Sequence, residues 1–225
     1  MAELSAILAV AGKDLRLELR SKSTLVATVF FSSIVLVVLA FAIGPDLNAL
    51  RNAAPGVLWV TLVFAGVISA AQSYQAELEG EAFEQLLLYP VPRGALFLGK
   101  LLANWLFMSA LGLVVLPLSA LLFGLPLGAD WLWLVLTILL GTLGFAIVAT
   151  FYAALTANLR ARESLLPVLM FPVVVPVLMA AVRATGEIAQ LGNLGMAKAW
   201  LQLLVGFNLI YFVLCTAIFH FVVEE

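Results

Sequence analysis

The sequence predicts an all-α membrane protein with six transmembrane helices, and three observations predict it. Of 225 residues, 64% are hydrophobic and only 11% are charged, where a soluble domain carries roughly 45–50% and 25%. Six uncharged runs of at least 19 residues divide the chain, each near the ~20 residues that cross a bilayer as a helix. The basic residues crowd the segments on one side of those runs. With a mean hydropathy of +1.17, a chain of this size has too little interior to hide its apolar surface from water, so its main solvent is lipid.

The first element is amphipathic and does not span. Leu4, Ile7, Leu8, Ala11, Leu15 and Leu19 form one helical stripe opposite Lys13, Arg16 and Arg20. This predicts a helix over 3–21 lying in the membrane interface with its bases toward lipid phosphates. Glu18 falls on the apolar side against that pattern, and a soluble lead-in helix is the alternative. No cleavable signal is expected, because the first apolar run starts after 22 residues and is too long for one.

The uncharged runs cover 23–45, 52–76, 101–129, 131–159, 164–182 and 199–223. They set spans over 24–43, 56–75, 101–123, 131–155, 164–182 and 200–222, all in a single transmembrane domain covering 1–225. Only Asp130 separates the third and fourth runs, and Gly124, Pro126 and Gly128 supply the turn between them. If the N-terminus lies inside, eight basic residues fall on cytoplasmic segments (Lys13, Arg16, Arg20, Lys22, Arg93, Lys100, Arg160, Arg162). Three (Arg51, Arg183, Lys198) fall outside. The positive-inside rule then places both termini in the cytoplasm. Trp59, Trp131, Trp133 and Trp200 fall near the outer interface as an aromatic belt. Residues 183–200 are expected to form a brief re-entrant or interfacial helix.

Several function classes are excluded by what is missing. One histidine, His220, and one cysteine, Cys215, are too few for a zinc site, a bis-histidine haem site or a histidine-paired nucleophile. His220 reads as an interfacial residue and Cys215 as a small apolar filler. No metal site, disulfide or nucleic-acid partner is expected. The predicted spans hold no Asp, Glu, Lys or Arg, so the chain carries no sign of its own ion coupling. The chain is not expected to be an enzyme, and any uphill transport needs energy from another subunit. "GALFLGKL" at 94–101 matches G-x-x-x-x-G-K, but Leu101 stands where a phosphate loop needs Ser or Thr. The segment reads as a lead-in to the third span, with Lys100 at the interface.

The segment "EGEAFEQLLLYPVPR" at 79–93 joins acid, oil and two prolines between the second and third spans. Glu77, Glu81 and Glu84 recur at helical spacing, Phe83, Leu86 and Leu87 share another side, and Pro90 and Pro92 end the element. This predicts a short cytoplasmic helix over 77–89 that docks a partner, with Gln85 and Tyr89 among its contacts. Its alternative is a solvated loop whose leucines dip into lipid. ABC transporter permeases seat such coupling helices in their ATPase. Within the membrane, Pro167, Pro172 and Pro176 bend the fifth span as hinges or as static packing. Ser69, Gln72, Ser73 and Asn208 are polar groups that should face other helices, as hydrogen-bonding glue or as pathway lining.

Three blocks carry a resemblance to a known family: "IGPDLNALRNAAPGVLWV" at 43–60, "FEQLLLYPVPRGALFLGKLLANWL" at 83–106 and "LLPVLMFPVVVPVL" at 165–178. The chain resembles the CcmB family, the haem exporter protein B permeases of system I cytochrome c maturation, over nearly its whole length. One departure is Asn104, where the family pattern has histidine in many members. The resemblance implies an ABC-2-like permease subunit in the bacterial inner membrane. Its implied partners are an ATPase (CcmA-like), a tryptophan-rich haem-handling membrane protein (CcmC-like), a small membrane subunit (CcmD-like) and a haem chaperone. A second membrane half is needed, either another copy or a different subunit. ATP acts only through the partner, no cofactor is firmly bound, and haem is a handled or transported ligand. Export of a lipid or drug by the same architecture, and a non-transporting scaffold for haem-handling subunits, remain as alternatives.

Overall fold

The computed structural model describes residues 2–20, 22–79, 93–128, 130–156 and 162–222. Among these are seven helices: α1 (Ala2–Arg20), α2 (Lys22–Ile43), α3 (Leu47–Glu79), α4 (Arg93–Phe123), α5 (Trp131–Thr156), α6 (Arg162–Ala189) and α7 (Leu194–Val222). Six of them, α2 to α7, are long and apolar enough to cross a membrane. The chain is a multi-pass, all-α membrane protein.

The helices outrun the apolar runs because they end where the backbone is capped, and charge does not mark that point. At 33 residues, α3 is about 50 Å long, well beyond the ~30 Å hydrocarbon core. Asp46 starts it, its Oδ1 accepting from Asn48 N–H at 2.9 Å. At its other end α3 runs unbroken through Glu79, so Glu77 lies on a continuation of the second span and does not open a separate helix. The 183–200 region likewise holds no helix of its own. There α6 ends in a turn with Gly192 in the left-handed region at φ +59°, closed by Asn193 N–H on Glu187 O. Asn193 Oδ1 then accepts from Met196 N–H at 3.2 Å and caps α7.

Helix α5 forms the centre and packs on α3, α4, α6 and α7. Its glycines set the spacing, as small residues do where lipid offers no hydrophobic drive between helices. A Cβ on Gly141 would stand 2.2 Å from Trp59 Cη2, and one on Gly144 would stand 2.4 Å from Asn208 Oδ1. Trp59 is therefore a core residue, 2% exposed, whose Nε1–H donates to Thr185 Oγ1 at 2.9 Å. It does not join the interfacial belt expected of it. Trp131 is exposed, and Trp133 takes the Lys198 ammonium over its ring at 5.3 Å.

Several polar side chains inside the bundle are hydrogen-bonded, as low dielectric favours, while Ser119 Oγ, Asn208 Oδ1 and Thr216 Oγ1 are buried without a partner. Asn104 Nδ2 donates to Thr150 Oγ1 at 2.9 Å, Trp105 Nε1 donates to Leu139 O, and Ser109 meets Thr142 at 3.0 Å. These three contacts bind α4 to α5. Asn208 Nδ2 reaches Leu140 O at 2.9 Å, and Tyr211 O–H reaches Val173 O at 2.8 Å, fastening α7 to α5 and α6. Helix α6 stays a single helix through Pro167, Pro172 and Pro176. Pro172 is exposed and the other two are half-buried.

Candidate functional site

The densest charged cluster among the described residues sits where α1 meets α3 and α4. One stripe of α1 turns toward the bundle: Val10, Ala11 and Asp14 are buried and Glu18 is half-buried. Helix α4 receives it at Gly99, where a Cβ would come within 2.6 Å of Val10 Cβ and 3.0 Å of the Ile7 carbonyl. The missing side chain lets the two backbones approach. The next residue, Lys100, is 0% exposed and its Nζ lies 3.1 Å from Asp14 Oδ2. The other Asp14 oxygen takes the half-exposed Lys13 at 3.0 Å. Lys100 is therefore an internal cation, packed against α1 and shielded from the surroundings of the bundle. The Gly-Lys pair of "GALFLGKL" seats a helix.

The second attachment is Glu18, whose Oε1 accepts from Ser69 O–H at 2.7 Å. Its packing face includes Asp14 and Glu18, one turn apart, so the contact stripe is rotated from the centre of the leucine stripe. Leu4 and Leu8 flank it and stay 63% and 55% exposed. Arg16 and Arg20 are exposed and with Lys13, Leu8, Gly12 and Leu17 line a shallow groove on the outward side. Thus α1 presents acid and small residues to the bundle, leucines to its flank, and bases outward.

Burial pushes the Glu18 carboxyl above its ordinary 4.5; the Asp14 charge adds to the rise, while the Ser69 hydrogen bond and Lys100 oppose it. A raised folded pKa means that this group's contribution is fully present below pH 4.5 and lost as pH rises through the folded value. Glu18→Gln keeps an acceptor for Ser69 and removes the titration. The variant is expected to melt with wild type near pH 4.5 and a few degrees higher at pH 8, as followed by thermal unfolding in nanodiscs.

The cluster lies at the end of the bundle from which 80–92 emerges, because that segment links the end of α3 to the start of α4. The far end of α7 returns to the same place: Phe219 meets Phe97 of α4 with ring centroids 4.9 Å apart. Glu77 lies in α3, whereas Glu81, Phe83, Glu84, Gln85, Leu86, Leu87, Tyr89, Pro90 and Pro92 lie outside the described residues, as do the side chains of Gln72, Glu77 and His220. Pro167, Pro172 and Pro176 lie on α6, and Asn208 of α7 bonds Leu140 O of α5; none of them makes a contact with the charged cluster among the described bonds. Sequence reading missed the Asp14–Lys100 pair. The available signal was two acids, four apart, inside an apolar stripe, which call for a cationic or hydroxyl partner. Among the described residues no three of His, Cys, Asp and Glu converge to hold a metal ion.

Residues 5–224 match the family model described as CcmB protein. The chain is 36% identical over 167 residues to heme exporter protein B of Pseudomonas aeruginosa, covering 74% of each chain. It is 32% identical over 189 residues to heme exporter protein B of Rhodobacter capsulatus, covering 84% of each. It is 32% identical over 175 residues to the Haemophilus influenzae protein of that name, covering 77% and 78%.

Proposed function

The chain belongs to the CcmB protein family, and from that premise we propose that it is the membrane permease subunit of an ABC complex for cytochrome c maturation. Relatives named heme exporter protein B support haem handling over lipid or drug export. The ATP is hydrolysed in a separate CcmA-like subunit, and the machine further includes CcmC-like and CcmD-like membrane subunits and a haem chaperone. A second membrane half, this chain or another, completes it. The complex sits in the bacterial inner membrane with both termini cytoplasmic, a placement that the eight-to-three split of basic residues supports.

One observation carries the mechanistic part: the two helices that bracket 80–92, α3 and α4, are both fastened to α1 by charged contacts. Segment 77–92 docks the ATPase through Phe83, Leu86 and Leu87, with Glu77, Glu81, Glu84, Gln85 and Tyr89 around them and Pro90 and Pro92 closing the element. Closure of the ATPase then moves the ends of α3 and α4 together with α1, and Lys13, Arg16 and Arg20 hold α1 to anionic lipid. Transmission suits the chain better than ligation of haem. Lys100, the cation buried among the helices, already holds Asp14, and Asn104 offers an amide, bonded to Thr150, where an imidazole would be a ligand. Haem is the cargo of the complex and ATP acts only through the partner.

Phe83→Ala with Leu86→Ala tests the docking assignment. The double variant is expected to insert normally and to lose the ATPase on detergent purification, with cytochrome c maturation falling about tenfold or more. An unchanged complex with unchanged maturation would overturn it.

A further inference from the structure

We propose that the Asp14–Lys100 pair is a releasable joint on which α1 shifts against α4 in each ATP-driven cycle. The inference rests on the transmission reading above and adds the place where movement enters the membrane part.

The contact is built differently from the rest of the bundle. Between α3 and α7, the helices meet mostly through apolar packing and neutral hydrogen bonds such as Asn104–Thr150 and Trp59–Thr185. Two cations there, Lys198 over Trp133 and Arg51 on Gly124 O, meet a ring and a carbonyl and, among the described residues, no carboxylate. Helix α1 instead reaches its two neighbours through an ion pair and a carboxylate hydrogen bond. A buried ion pair is a poor choice for permanent attachment. Apolar residues of similar volume usually hold as well or better, and the best-attested use of such a pair is to fix register or to switch. The seat is already shaped for close apolar contact by Gly99 against Val10, so the charges add direction and register.

Release is also provided for. Lys13 rides on the same helix as Asp14 and binds its second carboxylate oxygen at 3.0 Å. When Lys100 lets go, Asp14 keeps a countercharge. The cluster lies near the first turns of α4, where the long lysine stem can carry its ammonium toward the membrane surface. Leu4 and Leu8 are exposed, so a shift of α1 slides them along lipid and opens only the small seat of Val10 on Gly99. Asp14 and Lys100 are thus positioning residues that act through α1.

Two measurements on the complex in its native membrane test this. The first replaces the charges with apolar groups, Asp14→Leu with Lys100→Met, beside the swapped pair Asp14→Lys with Lys100→Asp. The apolar double variant is expected to bind the ATPase as wild type and to melt at or above wild type. Its cytochrome c maturation should nevertheless fall about tenfold, and the swapped pair should recover most of the loss. Wild-type maturation by the apolar variant, with ATPase bound, would overturn the joint, since a purely structural pair tolerates that replacement. The second measurement keeps the charged pair and stands even if those variants fail to insert. Cys215, the only cysteine, is changed to Ala, and Val10, buried against Gly99, is changed to Cys. Maleimide labelling at position 10 is expected to speed up several-fold when ATP is turned over; labelling indifferent to ATP would overturn the proposal. An ATPase absent from the wild-type complex would overturn the functional reading itself, and the joint with it.

Discussion

Gly141→Ala is expected to lower the unfolding temperature of the detergent-solubilised chain by roughly 4–8 °C, corresponding to about 2 kcal/mol of overpacking. The added Cβ would stand 2.2 Å from Trp59 Cη2 and 2.7 Å from Cζ3. The indole has no easy retreat. Its Nε1–H is held by Thr185 Oγ1 at 2.9 Å, and that hydroxyl is itself tied to Ala181 O at 2.8 Å. Moving the ring would break a buried hydrogen bond, so α3 and α5 must separate instead. Gly206→Ala, on α7 with nothing within 4 Å of its Cβ, is the control. It should be neutral or stabilising by up to about 1 kcal/mol, the helix-propensity gain of alanine over glycine. Equal melting of the two variants would show that the α3–α5 approach through Gly141 is not what sets the bundle's spacing.

The second large effect is local. Asp14→Ala removes the carboxylate from a lysine that is 0% exposed, a change that costs about 3–5 kcal/mol where a buried pair is broken on one side. The loss falls on the docking of α1, because the six spans keep their own contacts. Limited trypsin digestion reads it directly. Lys13, Arg16 and Arg20 offer cleavage sites on α1, and cleavage of a helix follows the population of its opened state. Digestion within the first 20 residues is expected to speed up by about a hundredfold to a few thousandfold, with the six-helix remainder surviving. An unchanged rate would mean that Lys100 does not hold α1.

How far the sequence reveals this arrangement depends on the range of the interaction. The six spans are legible because charge is so expensive in lipid that its absence marks them. The helix ends are less legible, since Asp46, Gly192 and Asn193 set them by capping, and helices carry Arg51, Lys100, Arg183 and Glu187 beyond the uncharged runs. Trp59 reads as interfacial by its distance along the chain, and only the glycine it packs on, 82 residues away, makes it core. Glu18 looks out of place on an apolar stripe until Ser69, 51 residues on, is brought beside it. Asp14 and Lys100 are separated by 86 residues, so no local period joins them. What can be read is the anomaly each leaves behind: an acid where a leucine would suit, a Gly-Lys pair with no phosphate loop around it.

The claim that 77–92 is the docking element beside the α1 junction is tested most directly by photo-crosslinking. A benzophenone amino acid at position 83, in the intact complex in its native membrane, is expected to give one dominant adduct of this chain with an ABC ATPase. The same probe at position 131, in the exposed Trp131 at the opposite end, is expected to give none with that subunit. An adduct at 83 with lipid alone, or capture of the ATPase at 131 instead, would contradict the account.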